Sequence, residues 1–161
     1  MTKREPTFVS FERDGGSYRA FIAIDGFLSS DDDLGSVLAH ASSLYGSYVS
    51  RMRVLVDLIK SDRDRRRTVP ARRVWQLGDL VFGLVERLSR MSLQIDGMYD
   101  HLERDLSVKR KWLEKVIIFR RYIPQETMIP ERLNWGKCEK GTRRIAEMIQ
   151  RGTLPGEADG C

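Results

Sequence analysis

Two apolar series separated by a charged connector constrain this chain more than anything else in it. From Leu34 the residues Leu38, Ala41, Tyr45, Tyr48, Met52, Leu55 and Ile59 follow at alternating spacings of four and three. After Pro70 the same alternation returns as Val74, Leu77, Val81, Leu84, Leu88 and Met91. At 3.6 residues per turn such positions form one stripe, and a stripe this long requires a partner along its length. The simplest arrangement is an antiparallel hairpin of two long helices. Pro70 is tolerated in the first turn of the second, where a missing N–H costs no intrahelical bond. Ser29-Ser30 can cap the first, and Asp31, Asp32 and Asp33 suit the positive end of its dipole better than a metal site.

The segment ahead of these helices has a different period. Phe8–Phe11 and Tyr18–Ile24 are aromatic and β-branched runs around Asp14-Gly15-Gly16, which predicts a β-hairpin and is the only convincing strand signal. Two strands alone are marginal in water, so the hairpin must pack on the helices or pair with another chain. Downstream, Asp96-Gly97 opens a short helix to about Asp105, and Ser107 is placed to cap another that runs to the break at Pro124. A last helix falls within Cys138–Gln150, with Gly152 as its terminator. The expected organisation is a β-hairpin over residues 1–28, a helical domain over 29–151 and a tail over 152–161. The fold class is mainly α: a helical bundle with a long helical hairpin and a helix-turn-helix-like unit, plus the N-terminal β-hairpin.

Charge is unevenly placed along the 161 residues. Residues 1–60 sum to −1 and residues 61–161 to +6, within a total of +5. Clustered cations release counterions from a phosphate backbone, although basic stretches also serve as solvated faces. The connector SDRDRRRTVPARR holds six arginines between Arg63 and Arg73. It reads equally as a charged loop tip or as a phosphate-contacting loop through Arg65, Arg66 and Arg67.

The segment DHLERDLSVKRKWLEKVIIF, residues 100–119, has the apolar spacing of a helix-turn-helix. Leu102 and Leu106 face inward from the first helix, Val108 packs after the turn, and Leu113 and Val116 line the second. Ser107 stands where glycine is common and Glu103 where a small residue is usual. Lys109, Arg110 and Lys111 then occupy the first turn of the second helix, with Lys115 one turn on. Cations there oppose the helix dipole, which mildly favours a binding role. Arg120 and Arg121 are candidate backbone clamps, and Trp112 reads as a packing residue rather than a base-stacking one.

At Trp75-Gln76-Leu77-Gly78, Asp105-Leu106-Ser107, Phe119–Pro124 and Leu133-Asn134-Trp135, the chain resembles the helical N-terminal domain of bacterial PD-(D/E)xK nuclease-like proteins, over roughly residues 70–150. The resemblance implies a helical, nucleic-acid-associated module containing a helix-turn-helix-like unit. This chain has no recognisable carboxylate-lysine motif and no nuclease domain before its last residue, Cys161, so cleavage chemistry does not carry over.

Nothing in the sequence predicts a catalytic residue, a metal or a cofactor. His40 and His101 lie outside any metal-ligand spacing, and Cys138 and Cys161 make neither a zinc set nor a disulfide framework. Asp14-Gly15-Gly16 lacks the Lys-Ser/Thr of a phosphate loop, and Asp100 with Glu103 reads as a solvated edge. The absence of a signal core and of a membrane-length apolar run predicts a cytoplasmic protein with no membrane partner. The functional expectation is a non-catalytic protein that binds nucleic acid, duplex DNA first, as a homodimer paired through the Tyr45–Tyr48 stripe or the edge of Tyr18–Ile24. The alternative is an adaptor of a nuclease or nucleoprotein complex that docks a protein partner through its helical seams.

Overall fold

In the computed structural model, which describes residues 6–23 and 31–154, strands β1 (Thr7–Asp14) and β2 (Ser17–Ile22) form the expected hairpin. Gly15-Gly16 is its two-residue turn, with Gly15 at φ 63°, a conformation that glycine adopts without strain. Phe11 pairs with Ala20 and Val9 with Ile22. Because side chains alternate between faces, Val9, Phe11, Tyr18 and Ala20 are buried together on one side. A third strand, β3 (Leu93–Ile95), runs parallel to β1 and gives the order β2-β1-β3. Three residues are too few to show a period, so the sequence carried no signal for it. Its place is set by backbone bonds at both ends, Thr7 N–H to Ser92 O and Asp96 N–H to Val9 O, each 2.8 Å.

Helix α1 (Asp31–Asp64) and helix α2 (Ala71–Arg90) form the expected hairpin. They are antiparallel, since Asp62 pairs with Arg73 beside the connector while Tyr48 lies on Gly83 further along. The helix caps proposed at Ser29-Ser30 lie outside the described residues. Pro70 is the residue before α2 rather than in its first turn, and Ala71 N–H finds Leu133 O at 2.9 Å. On α1, Leu44, Val49 and Val56 are buried in addition to Ala41, Tyr45, Met52 and Ile59. The stripe is wider than one seam because α1 is covered twice, by α2 and by the sheet. Tyr45 stacks on Phe11 with ring centroids 4.1 Å apart, and Tyr18 meets Tyr45 edge-on at 5.0 Å.

Helices α3 (Met98–Leu106) and α4 (Arg110–Tyr122) make the predicted corner, with Leu102, Leu106, Leu113 and Val116 buried as expected. Ser107 does not cap α4. It closes α3 in a left-handed conformation at φ 54°, and α4 begins after Lys109. The last helix is two pieces, α5 (Trp135–Glu139) and α6 (Thr142–Arg151), separated at Gly141, whose φ of 102° no helix accommodates. Gly152 ends α6 as expected, at φ 71°. Hairpin and helices share one buried cluster, with α4 packed between α2 and α6.

Gly78 sets the closeness of that packing. A Cβ there would meet Arg120 Cβ at 2.7 Å and Val116 O at 3.1 Å, so the α4 backbone crosses α2 where α2 has no side chain. Gly83 is less critical, because its Cβ would meet only the phenol end of Tyr48, at 3.1 Å. Gly78→Ala is expected to destabilise the protein by about 1–3 kcal/mol, the usual cost of overpacking, and Gly83→Ala by less. Urea unfolding of the two variants side by side is the test, and equal midpoints would contradict the assignment.

Candidate nucleic-acid interface

The corner is anchored by one buried carboxylate. Asp105 accepts the Tyr45 hydroxyl at 2.5 Å, and Arg104 donates to both its oxygens at 2.9 Å. Arg104 also donates to Phe11 O at 2.6 Å, and Arg53 donates to Asp105 O at 2.9 Å and to the Tyr18 hydroxyl at 2.5 Å. Next to it, His101 is a satisfied packing residue: Nε2 accepts Phe11 N–H at 2.9 Å, which assigns the proton to Nδ1, facing Gly97 O at 2.9 Å. These bonds fix α3 against α1 and β1, and thereby fix where α4 starts.

At that start the predicted contact residues separate into two groups. Lys109, Lys111 and Lys115 are exposed, and none forms an ion pair among the described residues. Arg110 is engaged instead: it lies 5.1 Å over the Tyr99 ring and pairs with Glu114 at 3.3 Å and Asp100 at 3.8 Å. Its backbone N–H donates to Glu103 Oε2 at 2.8 Å. Glu103, the residue that fits a helix-turn-helix least, therefore does the capping that Ser107 does not.

Arg120 lies in the α2–α4 contact with its side chain 19% exposed. It pairs with Asp79 at 3.0 Å and sits over the rings of Phe82 and Trp75 at 4.8 and 5.1 Å. Arg121 is exposed, twelve residues beyond Lys109, or about 18 Å along the helix. Of the cations after α4, Arg143 packs over Tyr122 at 5.5 Å and pairs with Glu147.

The connector comes to the same corner as Lys109. Arg65, Arg66 and Arg67 are exposed in the turn after α1, and none forms an ion pair among the described residues. Just before them, Arg63 lies 5.4 Å over the Trp112 ring and Lys60 donates to Ser107 O at 2.8 Å. Lys60, Arg63, Lys109, Trp112 and Glu139 line a hollow of about 430 Å³, where Glu139 holds Arg63 at 3.0 Å. Nothing in the sequence brings Lys60 and Arg63 to α4, because their nearness to it depends on where α1 ends in space.

Parts of the surfaces expected to form a homodimer are engaged within the chain, and Ile24 of the expected edge lies outside the described residues. Tyr45 and Met52 are fully buried, while Tyr48 is half-buried against Gly83. On the outer edge of β2 Ala20 N–H donates to Ser42 Oγ at 2.8 Å.

Among the described residues no group of three or more His, Cys, Asp or Glu is placed to hold a metal ion. Nor is any helix there long and apolar enough to cross a membrane. Comparisons with protein-family models, curated proteins and solved structures returned no match.

Two buried groups give the fold an alkaline limit. Burial, then the Asp105 hydrogen bond and charge, hold the Tyr45 phenol far above its ordinary 10.0, and burial pushes the Cys138 thiol from 9.0 up to about 12. In each case the unfolded chain releases its proton first. Stability therefore falls as pH rises from about 9 to 12 for Cys138 and from about 10 upward for Tyr45. Tyr45→Phe is expected to cost about 1–2 kcal/mol at neutral pH and to flatten the decline above pH 10, read from urea midpoints across that range.

Proposed function

We propose that this protein binds nucleic acid without catalysing its cleavage, and that duplex DNA is the preferred form. The observation that carries the reading is the hollow where the end of α1 meets the start of α4, lined by Lys60, Arg63 and Lys109, with Lys111 and Lys115 exposed further along α4 and Arg65–Arg67 exposed in the connector that follows α1. Cations that are exposed and unpaired are the ones free to displace phosphate counterions. The buried Leu102, Leu106, Leu113 and Val116 of the α3–α4 corner are consistent with a helix-turn-helix-like unit, and the resemblance to the helical domain of PD-(D/E)xK nuclease-like proteins supports the same class. In this reading Arg110 orients the start of α4 and Arg120 holds α4 to α2, while the lysines and the connector arginines grip phosphates.

A titration of labelled duplex DNA across salt concentrations tests this. Replacing Lys109, Lys111 and Lys115 by alanine should reduce the slope of log K against log salt by up to about 0.9 per lost phosphate contact. An unchanged slope would reject the reading, and a preference for folded RNA would redirect it. Glu103→Gln keeps an acceptor for Arg110 N–H but removes a negative charge beside Lys109, so it should tighten binding several-fold. A homodimer reading two half-sites would need a surface other than the Tyr45 stripe, and light scattering with and without DNA measures the stoichiometry.

A further inference from the structure

The solvent side of α2 is the floor of a trough. Its central part, about 760 Å³, is floored by Leu80, Phe82 and Val85 and walled by Tyr48, Tyr99 and Ile117. At one end it shares Arg51, Asp79 and Leu80 with a hollow of about 440 Å³ bordered by Val54. At the other it shares Val85, Ser89 and Met98 with one of about 400 Å³. Val54 and Val85 are 60% and 42% exposed, two of the few large apolar side chains on the described surface. From Gln76 to Ser89 α2 rises about 20 Å.

Shape and charge select the occupant. Among the described residues nothing covers the trough along its length, so a small ligand would keep one whole side in water, whereas an amphipathic helix inserts an apolar stripe and leaves its polar face outside. Five charged side chains line the central part. Asp79 is neutralised by Arg120 at 3.0 Å and Glu86 by Arg90 at 2.8 Å. That leaves Arg51, resting 5.4 Å over the Tyr48 ring, and Arg121, which forms no ion pair among the described residues. The end hollow that Arg51 also lines carries the carboxylate of Glu126, which accepts from Gln76 at 2.7 Å.

We propose that this trough docks an amphipathic helix of a partner protein, about four turns long, whose apolar stripe is flanked at its middle by acidic residues. The inference does not rest on nucleic-acid binding, because the trough uses the end of α4 opposite Lys109 and Lys111. Such a protein would hold a partner on one side while the basic corner stays open.

Two fluorescein-labelled helical peptides of about four turns test it, with the same leucine stripe and either glutamates or lysines beside its centre. By fluorescence anisotropy the glutamate peptide should bind roughly tenfold or more tighter than the lysine one. Val85→Asp should abolish that binding, and Arg121→Glu, which sets a carboxylate against Arg51, should remove the preference between the two peptides. Both side chains are exposed, and thermal melts establish that the variants fold. Absence of binding into the high-micromolar range, equal binding of both peptides, or indifference to Val85→Asp would overturn the proposal. So would a dimer that dissociates on Val85→Asp, which would assign the trough to a second copy of this chain. Val85→Asp should leave the DNA titration unchanged, so failure here is separable from failure at the basic corner.

Discussion

The carboxylate of Asp105 is 4% exposed, and an unpaired charge in that position would be untenable. Its partners come from three separate parts of the chain: Tyr45 from α1, Arg104 from its own helix, and through Arg104 the backbone of Phe11 in β1. Arg53 ties the same turn to Tyr18 in β2. Removing one partner of such a group strands the rest, which is why breaking a buried pair costs several kcal/mol although making it gains little. Its effect here is one of placement. The sheet cannot shift against α1 without disturbing α3, and α3 determines where α4 begins.

The apolar periods made the long hairpin and the α3–α4 corner legible, because packing on one face imposes a period that any reader of the sequence can count. The tyrosine, arginine and aspartate of the buried junction have no such period. They lie 60 and 52 residues apart in the pairs Tyr45–Asp105 and Arg53–Asp105, and nothing local links them. Strand β3 escaped for a related reason, since it exists only because β1 offers it an edge. The division of the last helix at Gly141 was legible in principle from the glycine, but Cys138 and the apolar positions of α6 mimic one continuous stripe across it.

The helix start at α4 shows how a local rule yields to geometry. Ser107 has the chemistry of a cap, yet α3 ends in a left-handed turn that takes its φ to 54° and spends it there. The orphan N–H of Arg110 is satisfied from the preceding helix by Glu103. That arrangement places a carboxylate in the middle of the basic corner. It also offsets the cost of a cation at the positive end of a helix dipole, since Glu103, Glu114 and Asp100 all contact Arg110.

A charge total treats all arginines alike, and the fold does not. Arg63, Arg73, Arg104, Arg110, Arg120 and Arg143 each hold a carboxylate, and four of these also lie over an aromatic ring. A planar guanidinium serves both roles at once, which lysine cannot do as well, so arginine is the cation that becomes part of the scaffold. The lysines at 109, 111 and 115 and the connector arginines at 65–67, which form no ion pair among the described residues, keep their charge at the surface. The +6 of residues 61–161 therefore overstates the charge that is open to a partner, because part of it is spent inside the scaffold.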